Sequence, residues 1–249
     1  MSRIKDQDIS RHNVTRRKFV AGAAASTALI ASPAVVRAQG GALKVGVILP
    51  LSGVQAGIGQ SCKRGVDIAP ALLKQLGYTQ NIEFTVVDFE TNVDVARARA
   101  ERLIADGCHM LSGPFDSGAA AAIAQVCEQK GVPFMINIAA APQITEQGYK
   151  FTFRNFQTAP QIIGRGLALF PQIFAATGKT PQTAVLMHIN DTFGQANKTA
   201  IDRIFPTMNL PFKIVDSIAY DPAARDLSVE VAKAKATGAD ILRSEEHTS

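Results

Sequence analysis

Short apolar runs alternate with amphipathic segments along most of this 249-residue chain. The first run, Leu43–Leu49, is nearly all apolar and rich in β-branched residues, as expected for a strand buried on both faces of a parallel sheet. Strands that alternate with helices of about ten to fifteen residues predict right-handed βαβ units. Further strands are predicted at Ile82–Asp88 and Thr183–Ile189, with helices at Gln60–Leu76 and Val93–Ala105. The alternation restarts at Ala159, with a helix predicted to about Ala176. The sequence therefore predicts an α/β fold with two lobes, residues 39–158 and 159–242, each built around a parallel sheet.

The stretch Leu111–Ala122 joins a short apolar run, a Gly-Pro break and an alanine-rich helical segment. The first backbone N–H groups of a helix have no partner within it, and the helix dipole is positive at this end. Ser117 therefore stands where its hydroxyl can cap the helix or donate to an anion held there. From the residues alone, an ordinary N-cap role for Ser117 or Asp116 is the alternative.

In open α/β sheets, ligands bind beyond the carboxyl ends of the strands. The loops at these ends are expected to line one cleft between the lobes, and they are Pro50–Gly59, Gly113–Gly118, Ile138–Pro142 and Asn190–Gly194.

Two glycine patterns invite a nucleotide-binding interpretation, and both fail. Gly57 and Gly59 begin a dinucleotide fingerprint, but Cys62 occupies its third glycine position. Gly178-Lys179-Thr180 ends a phosphate-loop pattern, but Ile173 stands at its first glycine. No cofactor is predicted.

The sequence shows no set of residues typical of a metal site or of nucleophilic catalysis. Its three cysteines form no CxxC pair, and Cys127 is predicted to be a core thiol. His109 and His188 fall in predicted strands and are expected in the core. An exported α/β enzyme that uses strand-end carboxylates is a less favoured alternative, because such groups also serve as ordinary caps and no partner base is in view. The carboxylates concerned are Asp88, Glu90 and Asp116.

The net charge of +5 resides in the first 38 residues, which hold seven basic and two acidic side chains. The rest of the chain carries 19 of each sign, which argues against a nucleic-acid partner. Thr15–Val20 resembles the twin-arginine export pattern, and the apolar run Ala21–Val36 is too short and too weakly apolar to span about 30 Å of hydrocarbon. Residues 1–38 are therefore predicted to be a twin-arginine signal peptide, which implies a periplasmic protein that begins at Gln39.

The last seven residues, Arg243–Ser249, read as the in-frame translation of a common sequencing-adapter string. They follow Leu242, where an apolar strand should continue. The expectation is that residues 243–249 are an artefact and that the second lobe is incomplete. Uncovered sheet edges would then make the chain express poorly or aggregate.

Several segments together resemble the periplasmic solute-binding proteins of branched-chain amino-acid ABC importers, the Leu/Ile/Val-binding family, over roughly residues 42–242. The segments that carry the resemblance are Val45–Gly53, the strand–loop–helix at 111–130, Gly131–Pro142 with Ile144-Thr145 and Gly148-Tyr149, and Phe193-Gly194. The resemblance implies the type 1 periplasmic binding protein fold, in which two Rossmann-like lobes close on a ligand. It implies binding without catalysis, delivery to a membrane permease, and a monomer. A sensory ligand-binding domain of the same fold is the alternative.

The resemblance also implies a set of ligand-binding residues. Ser117 matches the serine that holds the ligand carboxylate, and the other positions are Phe115, Asp116, Ile58, Ile138, Ala139, Ala140 and Phe193. Ala140 stands where amino-acid binders usually have a hydroxyl, and Phe193 stands at the position of a tyrosine. Each lost hydrogen bond to a charged group is worth about 1.5–3 kcal/mol. The expected ligand is therefore a small carboxylate with an apolar or aromatic body, either a hydrophobic amino acid or an acid without an amino group.

Overall fold

A computed structural model describes residues 41–245 of the chain. The predicted signal peptide and residues 246–249 lie outside the described residues. Within the described part, no helix combines the length and the apolar character needed to cross a membrane.

The first sheet has five strands, all parallel, in the order β2-β1-β3-β4-β5. They are β1 Leu43–Leu49, β2 Ile82–Asp88, β3 Met110–Ser112, β4 Phe134–Ile136 and β5 Thr152–Arg154. The helices that follow the first four strands are α1 Ala56–Gln75, α2 Val93–Ala105, α3 Ser117–Lys130 and the single turn α4 Gln143–Glu146. This order places the loops after β1 and β3 side by side at the carboxyl edge of the sheet.

The second sheet has three parallel strands in the order β7-β6-β8. They are β6 Thr183–Ile189, β7 Lys213–Tyr220 and β8 Ile241–Glu245. Its helices are α5 Ala159–Ala168, α6 Phe170–Thr177, α7 Thr192–Ile204 and α8 Ser228–Ala236, with a 3-10 turn at Phe205–Thr207. The α/β class and the parallel sheets predicted from the sequence are confirmed.

One hydrophobic cluster extends from the first sheet to the second. It includes Leu111 and Phe134 of the first sheet, Ile123 of α3, and Leu186 of the second sheet, all of them buried. Because α3 and α7 also contact each other, the carboxyl ends of β3 and β6 are held near one another by apolar packing. A separate smaller cluster lies on the other face of β6.

Several predicted element boundaries are wrong. Helix α1 begins at Ala56, four residues before the predicted start at Gln60. The helix predicted from Ala159 to about Ala176 is two helices, because the chain turns at Leu169 and the second helix has a proline in its first turn.

The two histidines predicted in the core differ in burial, and the strand that contains Leu242 is longer than expected. His109 is exposed and precedes β3, so it is not a core residue, whereas His188 is buried as predicted. The chain continues in strand conformation beyond Leu242, with Arg243 paired to Leu186 of β6. The origin of residues 243–249 stays a prediction about the gene.

Candidate ligand-binding site

The loop after β1 is fixed to the end of β2 by one carboxylate. Asp88 accepts hydrogen bonds from the Leu51 backbone N–H at 2.8 Å, from the Ser52 hydroxyl at 2.6 Å and from the Glu90 backbone N–H at 2.8 Å. Burial raises the pKa of Asp88, but these hydrogen bonds together outweigh it and leave the pKa below its ordinary value. The ionised carboxylate therefore holds two neighbouring loops together at the carboxyl edge of the sheet.

Asp116 caps helix α3. Its Oδ1 atom accepts a hydrogen bond from the Ala119 backbone N–H at 2.7 Å, and its Oδ2 atom accepts one from Nε2 of Gln55 at 2.9 Å. Ser117 is the first residue of the helix, so the cap is Asp116 rather than Ser117. The bond to Gln55 connects the loop after β3 to the loop after β1.

The loops after β1, β3 and β4 are connected by hydrogen bonds and together form the loop cluster of the candidate site. The Ser117 side chain lies in this loop cluster and is 1% exposed. Its Oγ atom accepts a hydrogen bond from the Ala141 backbone N–H at 3.4 Å. A hydroxyl has one donor besides its acceptor sites, and within residues 41–245 this hydroxyl shows no acceptor for that donor. Because Asp116 supplies the cap, the Ser117 hydroxyl can donate to an anion at the start of α3.

The small-residue loop after β4 is held by a cation that the sequence analysis missed. Arg154, at the end of β5, donates from Nη1 to the Ala139 carbonyl and from Nη2 to the Ala141 carbonyl, the latter at 2.7 Å. Burial lowers the pKa of Arg154, and the nearby Glu146 carboxylate acts in the opposite direction. The guanidinium thus fixes the loop that meets Ser117.

The other residues predicted in these loops differ in burial, and their role in ligand binding stays a prediction. Phe115, Ala139 and Ala140 are buried, and Ile58 and Ile138 are half-buried. The Ala140 carbonyl accepts a hydrogen bond from the first backbone N–H of α5 at 2.8 Å, which connects this loop to the second series of elements.

The amino end of α7 lies against the amino end of α3. A Cβ atom added at Gly118 would lie 3.4 Å from Oγ1 of Thr192. Asp191 caps α7 by accepting a hydrogen bond from the Gly194 backbone N–H at 2.8 Å. Phe193 packs against the small apolar cluster of the second sheet. The structure therefore brings the α7 terminus to Ser117 but directs the Phe193 ring to its own sheet.

Glycines allow α1 and α7, two of the helices that start near the site, to approach the preceding strand closely. A Cβ atom at Gly59 of α1 would lie 1.9 Å from the Pro50 carbonyl oxygen, and one at Gly194 of α7 would lie 1.8 Å from the Ile189 carbonyl oxygen. Only a residue without a Cβ atom fits at these contacts. Across residues 41–245, no group of three or more histidine, cysteine or acidic side chains is arranged to hold a metal ion.

Two parallel sheets, each with helices between its strands, place the loops of the candidate site at the carboxyl ends of their strands. Residues 42–243 match the family described as periplasmic binding protein, and the chain belongs to this family. The resemblance found in the sequence is confirmed, and so is the type 1 periplasmic binding protein fold.

Three relatives illustrate the match. The Leu/Ile/Val-binding protein homolog 3 of Brucella melitensis biotype 1 is 23% identical over 203 residues, which cover 80% of this chain and 53% of that protein. A solute-binding protein of an ABC transporter from R. palustris, solved in complex with benzoate, superposes with a TM-score of 0.71 at 23% identity, over 83% of this chain and 56% of that one. A leucine-binding protein from Thermotoga maritima gives a TM-score of 0.69 at 20% identity, over 81% and 55% of the two chains. The chain spans about half the length of the curated relatives it matches.

Proposed function

We propose that this protein is the solute-binding component of an ABC importer and that it captures a small carboxylate between two lobes for delivery to a membrane permease. The observation that supports this most directly is Ser117, a buried hydroxyl with a free donor at the amino end of α3. The ligand carboxylate accepts from this hydroxyl and from backbone N–H groups of the first turn. Family membership supports the transport role.

The surroundings of Ser117 favour an apolar body on the ligand. Ala139, Ala140 and Phe115 contribute no side-chain polar group to the loop cluster. Each oxygen of Asp116 accepts one hydrogen bond within the protein, from the start of α3 and from Gln55, so part of its acceptor capacity is already used. An aromatic or aliphatic acid without an amino group fits these surroundings, and a hydrophobic amino acid is the second candidate because relatives carry the name Leu/Ile/Val-binding protein.

A thermal-shift screen of the purified protein tests the ligand class. The panel contains Leu, Ile, Val and Phe beside benzoates, hydroxycinnamates and short fatty acids. A ligand at a hundred times its Kd adds about 2.7 kcal/mol to the free energy of unfolding, which raises the melting temperature measurably. Stabilisation by any of these acids supports the proposed function, and the two halves of the panel separate amino acids from amine-free acids. No rise in melting temperature with any acid of the panel would contradict the proposed function.

Replacement of the serine tests the site. Ser117→Ala removes one hydrogen bond to a charged group, so we expect the Kd of any acid found in the screen to rise about ten- to a hundredfold. Ser61→Ala is the matched control, because Ser61 is an exposed serine of α1 whose hydroxyl donates to the Gly57 carbonyl and accepts from Arg64 of the same helix. Equal affinities for the Ser117→Ala and Ser61→Ala variants would remove Ser117 from the site.

We further propose export to the periplasm by the twin-arginine route, which the pattern Thr15–Val20 supports. Replacing Arg16 and Arg17 together by lysine should leave the protein in the cytoplasmic fraction of its host. Undiminished recovery from the periplasmic fraction would contradict this route without bearing on the ligand.

A further inference from the structure

Gln55, the residue before α1, has one end of its amide engaged and the other end unpaired. Its Nε2 atom donates to Oδ2 of Asp116 at 2.9 Å. A carboxylate oxygen only accepts, so this contact determines which end of the amide faces Asp116. The remaining oxygen, Oε1, is buried and finds no hydrogen-bond partner in the described residues. Unpaired buried acceptors are few in folded proteins and require an explanation.

Gln55 lies where the loops of the candidate site meet. Its side chain contacts the residue that precedes Ser117, and its backbone N–H donates to Oγ1 of Thr91 at 3.4 Å. It therefore touches the loops that follow β1, β2 and β3. Because Oε1 is buried, bulk water does not supply the missing donor.

Asn137 also has a buried amide oxygen without a partner, but it differs from Gln55 in having a thiol nearby. Oδ1 of Asn137, just after β4, is also buried and unpaired. However, Nδ2 of Asn137 lies 3.7 Å from Sγ of Cys62, and a turn of the amide would let this thiol donate to the oxygen. Turning the Gln55 amide would instead set its oxygen against the carboxylate of Asp116. Among residues 41–245, no protein donor is therefore placed to bond to Oε1 of Gln55.

Resting on the function proposed above, we infer that Oε1 of Gln55 accepts a hydrogen bond from the bound acid. The ligand then carries a donor, either a hydroxyl or an ammonium group, in addition to its carboxylate. A site that holds a buried polar group selects against an analogue that lacks the matching group, because binding leaves that polar group unpaired. Gln55 is thus a residue that determines specificity within the ligand-binding site.

Two matched ligand pairs test this inference by isothermal titration calorimetry of the purified protein. Benzoate and 4-hydroxybenzoate differ by one hydroxyl, and 3-phenylpropanoate and phenylalanine differ by one ammonium. In at least one pair, the member with the donor should bind about tenfold tighter or more. In Gln55→Met, which keeps the length of the side chain, this ratio should fall to about one. Gln60→Met is the control, because Gln60 is an exposed glutamine of α1 whose side chain donates to the Leu51 carbonyl.

The outcomes separate this inference from the proposed function. Equal affinities within both pairs in the unmodified protein overturn the role of Gln55 and leave acid binding intact. A preference that persists in Gln55→Met, or an equal loss for both members of the pair, also overturns it, since either result makes the residue structural. Absence of binding by all four acids overturns the inference for Gln55, and the proposed function is contradicted as well if no acid of the wider thermal-shift panel binds.

Discussion

The close approach of α7 to the end of β6 predicts a large cost for one added methyl group, in Gly194→Ala. The new Cβ atom would lie 1.8 Å from the Ile189 carbonyl oxygen and 2.8 Å from the carbonyl carbon. Non-bonded carbon atoms pack best at about 3.5–4 Å, so the α7 backbone or the loop before it has to move by more than about 1 Å. The obstacle is backbone, and no side-chain rotation relieves it.

The size of the effect follows from the packing. Added groups in a packed region typically cost about 1–3 kcal/mol, and a clash with backbone belongs at the upper end of this range. We expect Gly194→Ala to lower the free energy of unfolding by about 3 kcal/mol. For a domain of about 150–250 residues, each kcal/mol corresponds to about 2–4 °C, so the melting temperature should fall by about 6–12 °C.

Thermal unfolding followed by circular dichroism measures this difference, with Gly164→Ala as the matched control. Gly164 also lies inside a helix, α5, but a Cβ atom there meets no heavy atom within 4 Å. Since glycine in a helix interior costs about 0.5–1 kcal/mol relative to alanine, the control should melt at or above the temperature of the unmodified protein. Equal melting temperatures for the Gly194→Ala and Gly164→Ala variants would refute the reasoning.

Two further predictions concern the charged groups that hold the loops. Arg154→Met removes the side-chain donor of the buried Ala139 carbonyl and leaves the Ala141 carbonyl with the Ile144 backbone N–H at 3.4 Å. An unpaired buried acceptor costs about 1–3 kcal/mol, so the free energy of unfolding in urea should fall by about 2 kcal/mol. An unchanged urea midpoint would contradict the role of Arg154. The pKa of Asp88 is lower in the folded protein than its ordinary value of about 3.9, so its contribution to stability is present above about pH 4 and is lost as the pH falls further. Asp88→Asn should therefore show a shallower loss of stability in acid than the unmodified protein, and parallel acid unfolding curves would count against it.

Much of the fold could be predicted because its signals are local in the sequence. The bounds of Leu43–Leu49, Ile82–Asp88 and Thr183–Ile189 agree with the structure, since runs of apolar residues mark strands buried in parallel sheets. Val93–Ala105 also agrees, because Asn92 accepts hydrogen bonds from the backbone N–H groups of Asp94 and Val95, as an N-cap should. The early start of α1 could not be predicted in this way, because the residue before it makes no side-chain cap.

The side-chain contacts between the loops of the candidate site could not be predicted from sequence patterns. Gln55 and Asp116 are 61 positions apart, and no sequence motif that contains one of them predicts a contact with the other. Arg154 is a single cation at the end of a short strand, a pattern shared with many exposed arginines. Ser117 could be singled out because a helix start has a recognisable sequence, and its role in ligand binding stays a prediction. Only the structure shows that Asp116, and not Ser117, supplies the cap.

The charges around Ser117 indicate how the site would hold an acid. Asp116 and Asp191 each place a negative charge at a helix start, against the positive ends of α3 and α7, which are each equivalent to about +0.5 of an elementary charge. The guanidinium of Arg154, held against the loop that meets Ser117, offsets part of this negative charge, and with the nearby Glu146 carboxylate included the local sum is not positive. A carboxylate is then retained by hydrogen bonds made on contact, from Ser117 and nearby backbone N–H groups, rather than by a long-range positive field. Its affinity should accordingly depend little on ionic strength, and a steep salt dependence would show that the two aspartates are not offset in this way.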